Sequence, residues 1–190
     1  MSDRSVNVLG FAGSLRKASY NRGLLRAAVE VAPPGVSLRT FELDAIPLYN
    51  ADVEAAGDPA PVAAFKQALR EADALLVATP EYNYGVPGVL KNAIDWASRP
   101  PGKSPLTGKP GAILGASMGQ GGTIRAQLQL RQAFLFTEVY ALLKPEVAIP
   151  RCQEKFDSEG RLTDQATRGQ VLELLEALRD WTLRLQGRPR

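Results

Sequence analysis

At 190 residues the chain has the length of one ordinary domain, with room for a sheet covered on both faces, and a single domain is expected over 1–190. It holds no histidine and one cysteine, Cys152, which removes imidazole bases, Ser-His-Asp and Cys-His nucleophile systems, most zinc sites and any internal disulfide. Its 23 lysines and arginines against 20 acidic residues give a formal charge of +3, spread without a basic run; this modestly favours anionic small ligands and gives nucleic-acid binding little support.

No stretch of eighteen apolar residues occurs, and Met1-Ser2-Asp3-Arg4 runs into a predicted strand without the apolar region of a signal peptide, so a cytoplasmic protein with no membrane partner is expected. Hydride or electron transfer through a bound organic cofactor needs none of the missing side chains, because the cofactor supplies the chemistry.

Taken in chain order, residues 6 to 11 read as a short buried strand and 22 to 31 as the helix after it. Residues 37 to 43 form a second candidate strand, and 46 to 50 a loop broken by Pro47. Asp58 before Pro59 reads as an N-cap followed by a first-turn proline, and Val62, Phe65, Leu69 and Ala72 recur at helical spacing. The run from Asp73 to Thr79 has the near-continuous apolarity of a central parallel strand. A helix follows over 86 to 97, a strand over 111 to 116 and a helix over 123 to 136. A fifth strand is expected at 146 to 149, and the stripe from Val171 to Leu185 marks a last helix.

Strands alternating with helices predict an open parallel sheet with helices on both faces. Five strands suggest the order 2-1-3-4-5, which puts a ligand crevice beyond the carboxyl ends of strands 1 and 3. Three loops should converge there: 13 to 21, 80 to 85 and 117 to 122.

In the first loop, Gly13-Ser14-Leu15-Arg16-Lys17-Ala18-Ser19-Tyr20-Asn21 sets hydroxyls, an amide and a cation between a strand and a helix, where backbone N–H groups favour an anion. Ser14, Ser19 and Asn21 can hydrogen-bond a phosphate and Arg16 can add charge; Ser19 or Asn21 taken alone reads equally as a helix cap. The second loop, Pro80-Glu81-Tyr82-Asn83-Tyr84-Gly85, suits a flat aromatic ligand. Its rival readings are that a tyrosine fills a surface groove or subunit contact, that Asn83 is a turn residue, and that Glu81 only fixes the loop. The third loop carries Gly119, Gly121 and Gly122, which permit close approach to a planar ligand or serve turn geometry alone. Neither the G-x-G-x-x-G fingerprint after the first strand nor a P-loop sequence occurs, which disfavours ATP and GTP hydrolysis.

With these residues in hand the chain resembles the NADPH-dependent FMN reductase family, which includes bacterial quinone, chromate and azo-dye reductases. The resemblance rests on Gly13-Ser14-Leu15-Arg16-x-x-Ser19-x-Asn21, on Pro80-Glu81-Tyr82-Asn83-Tyr84-Gly85, on Leu90-Lys91-Asn92-Ala93-Ile94-Asp95-Trp96 and on Ser117-Met118-Gly119 with Arg125-x-Gln127. It implies a flavodoxin-like three-layer sandwich and an NAD(P)H-dependent reductase that relays hydride through FMN to a quinone or similar acceptor. NADPH or NADH would be the donor.

By the same resemblance Ser14, Arg16, Ser19 and Asn21 would hold the FMN phosphate, Pro80, Glu81, Tyr82, Asn83 and Tyr84 would border the isoalloxazine ring, and Ser117 and Gly119 would line its other side. No catalytic acid, base or metal ligand is implied. Family members form dimers or tetramers, with Asn92, Asp95, Trp96, Arg125 and Arg131 as interface candidates and Tyr84, Arg125 and Glu146 as candidates for contacts between dimers. Trp96 as ordinary core is the competing assignment. A flavodoxin-type electron carrier is the alternative function; its phosphate loop would be richer in threonine and its surface strongly acidic.

Overall fold

The apolar run at residues 74 to 78 lies at the centre of the sheet in the computed structural model, which describes residues 5–187. Strands β1 (Val6–Ala12), β2 (Val36–Phe41), β3 (Ala74–Ala78) and β4 (Pro110–Ala116) pair in parallel in the order β2-β1-β3-β4. Every residue of β3 and β4 is buried, as helices on both faces of a parallel sheet require. The side-chain period of two divides the core. Val8, Leu76 and Leu114 face the helices α1 (Tyr20–Glu30) and α6 (Gln165–Gln186). Leu9, Phe11, Leu75, Val77 and Ile113 face α3 (Ala60–Glu71), α4 (Gly88–Ala97) and α5 (Ile124–Phe136). This is the flavodoxin-like α/β architecture expected from the sequence.

The fifth sheet position differs from expectation. It is shared by two short strands: β5 (Tyr140–Ala141) pairs with Pro110 and Gly111, and β6 (Val147–Ile149) pairs with Leu114 to Ala116. The chain leaves the ladder between them, where Pro145 has no N–H to donate. Only β6 matches the strand expected at 146 to 149.

Two further local differences have clear causes. A short helix α2 (Ala51–Ala55) follows the Pro47 loop, capped by the Asn50 side chain, which accepts the Asp52 N–H at 2.8 Å. Asp58 does not cap α3. Pro59 occupies the cap position with Pro61 inside the first turn, and the Asp58 carboxylate instead receives the buried ammonium of Lys66 at 2.6 Å. Meeting that charge outweighs a cap, because an unpaired buried ammonium is far costlier than a lost cap.

On helix α4 the core assignment offered for Trp96 holds. Trp96 is fully buried and its Nε1–H donates to the Pro47 carbonyl at 2.9 Å. Asn92 donates to the same carbonyl at 2.8 Å and accepts the Tyr49 N–H at 2.7 Å. Both residues therefore anchor the 46–50 loop within the chain. Arg131 donates to the Leu142 carbonyl at 3.0 Å and Glu146 pairs with Lys144 at 3.0 Å. At the other end of the chain, Asp164 caps α6 by accepting from the Thr167 N–H and hydroxyl, which pull its carboxyl down to about 2.

The candidate active-site cleft

The parallel register brings Ala12, Ala78 and Leu114 to the same edge of the sheet, so the loops that follow β1, β3 and β4 leave side by side. Each is tied to its neighbour. Gly13 N–H donates to Ala78 O at 2.9 Å, Thr79 N–H to Leu114 O at 2.9 Å and Ser117 N–H to Ile149 O at 3.0 Å.

The first loop passes so close to α4 that a Cβ on Gly13 would lie 3.0 Å from Leu90 Cβ. Beyond it, the N–H groups of Ser14, Leu15, Arg16, Lys17 and Ala18 meet no acceptor among the described residues. The Arg16 carbonyl accepts the Ser19 N–H at 3.0 Å, and Ser19 caps α1 by accepting the Arg22 N–H at 3.4 Å. Of these residues Ser14 and Arg16 border the cleft, beside the positive end of α1, an arrangement that favours an anion. Asn21 is occupied differently. Its amide both donates to Ala116 O and accepts from Ala116 N, each at 2.9 Å, so it fastens α1 to the end of β4.

The second loop is a two-residue hairpin. Tyr82 and Gly85 exchange hydrogen bonds of 3.1 and 2.9 Å, with Asn83 at φ +50° and Tyr84 at φ +64° between them. Two positive φ angles are what a type I′ turn demands, and asparagine satisfies the first readily. A tyrosine in the second costs about 1–3 kcal/mol and persists only where its surroundings hold it. Those surroundings are α5. The Glu81 carboxylate accepts the N–H groups of Arg125 at 2.9 Å and Ala126 at 3.2 Å, and pairs with the Arg125 guanidinium at 2.9 Å. Arg125 in turn lies 3.9 Å from the centre of the Tyr84 ring. Glu81, with 8% of its side chain exposed, therefore caps α5 and neutralises Arg125. Both tyrosine rings stay exposed and form a wall.

In the third loop the Ser117 hydroxyl donates to Gly122 O at 2.5 Å, and Gly119 O accepts the Arg151 N–H at 3.3 Å. Gly122 has φ +58°, and a Cβ there would sit 2.9 Å from the Ala148 main chain. At Gly119 the only atom near a Cβ would be the Ser117 hydroxyl at 3.7 Å, so this side of the loop is open.

Together the loops enclose a cleft of about 720 Å³. All eleven residues singled out from the sequence line it: Ser14, Arg16, Ser19, Asn21, Pro80, Glu81, Tyr82, Asn83, Tyr84, Ser117 and Gly119. Tyr20, Met118, Gln120 and Arg125 join them. Arg125, an interface candidate from the sequence, lies in this lining as well; its place in the first turn after a glycine-rich loop is the sequence signal for it. Glu81 is the one acid of the lining and is already paired, so Arg16 is the uncompensated charge.

Residues 6–154 match the family model of NADPH-dependent FMN reductases. The chain belongs to this family. It is 54% identical to an NAD(P)H-dependent FMN reductase of Pseudomonas aeruginosa, over 98% of this chain and 100% of that one. It is 42% identical to an NADPH:quinone oxidoreductase of Arabidopsis thaliana, over 96% and 95% of the two chains. Its structure matches FerB, a flavoenzyme NAD(P)H:(acceptor) oxidoreductase from Paracoccus denitrificans, with a TM-score of 0.86 at 34% identity, covering 94% of this chain and 98% of that one.

The protein is therefore an NAD(P)H-dependent flavin oxidoreductase with FMN as its cofactor. The residues present fit such a group. The unpaired N–H groups of Ser14 and Arg16 and the Arg16 charge suit a phosphate, and the hairpin, Gly119 and Gly121 border a cleft of a volume ordinary for a cofactor site. Cys152 takes no part: it is buried beneath the third loop, and burial pushes its thiol up to about 11. No helix among the described residues is long and apolar enough to cross a membrane.

Proposed function

We propose that this FMN reductase passes reducing equivalents from NADPH or NADH to a quinone, with the cofactor lying across the cleft between the first loop and the aromatic hairpin. The observation that carries the assignment is that Ser14, Arg16 and Ser19 line the same cleft as Tyr82 and Tyr84, with the N–H groups of Ser14 and Arg16 unpaired among the described residues. Ser14, Arg16, Ser19 and the loop N–H groups hold the phosphate. Asn21 serves by keeping α1 against β4. Pro80, Glu81, Tyr82, Asn83 and Tyr84 border the ring system on one side, Ser117 and Gly119 on the other.

When bound, FMN would supply the two-electron chemistry that links the nicotinamide donor to the acceptor. The chain's own work is orientation and exclusion. Arg16 and the α1 terminus fix the anionic end, the braced hairpin fixes one wall, and the exposed tyrosine rings offer a flat apolar contact to a second planar molecule. Glu81 is engaged with α5 and holds the wall without acting on a proton of the substrate. A quinone suits this surface, and a relative 42% identical is named for quinone reduction. Chromate, azo and nitro compounds and free flavin are further acceptors of the same exposed site.

The protein works as a homodimer or homotetramer in the cytoplasm, a reading supported by the exposed Leu128, Leu135 and Phe136 along α5. Sedimentation equilibrium returning the mass of a single chain would exclude that assembly. For the activity, the test is the visible spectrum after incubation with FMN and desalting, followed by anaerobic NADPH in the same cuvette. Retained colour that bleaches, and returns on adding a quinone, is expected; retained colour that NADPH leaves unchanged would mark an electron carrier instead.

A further inference from the structure

The tyrosine wall stands on a turn that its own sequence disfavours, since Tyr84 occupies a left-handed position where glycine is usual. Such a turn keeps one shape only if neighbouring elements hold it. Glu81 and Arg125 supply part of that hold from inside the cleft. The remaining part comes from outside it. The Gln129 side-chain oxygen, one turn further along α5, accepts the Val86 N–H at 2.6 Å. Among the described residues this is the one main-chain hydrogen bond tying residues 82–86 to another element. The same oxygen would lie 2.7 Å from a Cβ on Gly85, so glycine there is what lets the two segments approach. Gln129 does not line the cleft; it borders a small hollow of about 70 Å³ between α4 and α5 with Val86, Lys91, Ile94, Leu130 and Ala133.

We propose that Gln129 is a positioning residue for the acceptor wall: by holding Val86 it sets where the Tyr82–Tyr84 hairpin stands, and so how tightly a flat acceptor is gripped. The proposal rests on the cleft being the flavin and quinone site. It assigns specificity to a side chain that touches neither molecule.

The test compares Gln129→Leu, which removes the accepting oxygen at similar size, with Gln129→Glu, which keeps it. The first readout needs no flavin: amide hydrogen exchange at Val86. In Gln129→Leu this exchange should speed up by about threefold, the effect of losing one solvent-exposed hydrogen bond, and Gln129→Glu should restore it. The second is steady-state kinetics of the FMN-loaded protein with 2-methyl-1,4-naphthoquinone and with ferricyanide, an acceptor that needs no stacking wall. The quinone KM should rise about threefold in Gln129→Leu with little change in kcat, the ferricyanide KM should stay, and Gln129→Glu should recover the quinone value.

Unchanged exchange at Val86 in Gln129→Leu would overturn the proposal. So would faster exchange with an unaltered quinone KM, an equal rise for both acceptors, or failure of Gln129→Glu to rescue. A parent protein that retains no FMN would overturn the functional reading instead, and the exchange measurement would still decide whether Gln129 holds the hairpin.

Discussion

The loop after β1 and the hairpin after β3 border the same cleft yet are built on opposite principles. The first leaves donors of Ser14 and Arg16 unpaired at the cleft, on a backbone bonded at its two ends, Gly13 to β3 and Ser19 to Arg16. The second pairs its main chain across the turn and stores strain, holding two aromatic rings outward on a left-handed turn with ties from α5. In the function proposed above, one site thus combines a seat that would draw its affinity from charge and free donors with a wall whose value would lie in its placement. The seat should respond to salt and to loss of charge, the wall to loss of its ties.

The floor common to both is where substitution should do most damage. A Cβ at Gly115 would stand 2.1 Å from Thr123 Oγ1 and 2.2 Å from the Thr79 carbonyl, and the second of these is backbone. Gly115→Val should cost about 3 kcal/mol or more and remove folded protein at the expense of both loops alike. A urea midpoint equal to the parent's would mean that the strand ends are not packed as described.

Next in size, Arg16→Ala should separate the seat from the wall. FMN affinity should fall about tenfold at low salt, as expected for a charged hydrogen-bonding partner, and the deficit should shrink as salt screens the charge in the parent. Equilibrium dialysis at two ionic strengths reads this. A deficit identical at both would assign Arg16 a packing role on Tyr20, which its guanidinium overlies at 5.2 Å.

How much of each region was legible in the sequence follows from how local its forces are. The seat is a contiguous motif between one strand and one helix, so composition and spacing located it. What stayed hidden was Asn21, whose partner Ala116 is 95 residues away and ties the amide into a helix-to-strand clamp. The hairpin could be recognised as an aromatic loop. Its left-handed tyrosine could not be, because no local preference places a tyrosine there; the supporting contacts come from Arg125 and Gln129 on a helix some forty residues on. The same reason accounts for the differences in the fold. Asp58 is drawn off its cap by Lys66, and the fifth sheet position is divided between two short strands by their pairing with opposite ends of β4.

A smaller effect tests the ties on the wall directly. Glu81→Gln keeps one accepting oxygen for α5 but gives up the ion pair with Arg125 and the negative charge at the helix N-terminus. Stability should drop by about 1 kcal/mol, a Tm decrease of about 2–4 °C for a domain of this size. Calorimetry showing no change would mean that the hairpin and α5 do not depend on each other.

The smallest stability change should come at the more exposed of the two hairpin tyrosines. Tyr84→Gly relieves a left-handed side chain, a gain of about 1 kcal/mol or somewhat more, and loses the guanidinium stacked on the ring, a loss of about 0.5–1 kcal/mol at an exposed site. The two nearly cancel, so the midpoint of unfolding should move by less than about 1 kcal/mol in either direction. The quinone KM has no such compensation and should rise, because half of the wall is gone while the turn beneath it is relaxed. If Tyr84→Gly instead lost 2 kcal/mol or more, the turn would be the ring's natural resting place, and the contrast between an unstrained seat and a strained wall would fail at its central residue.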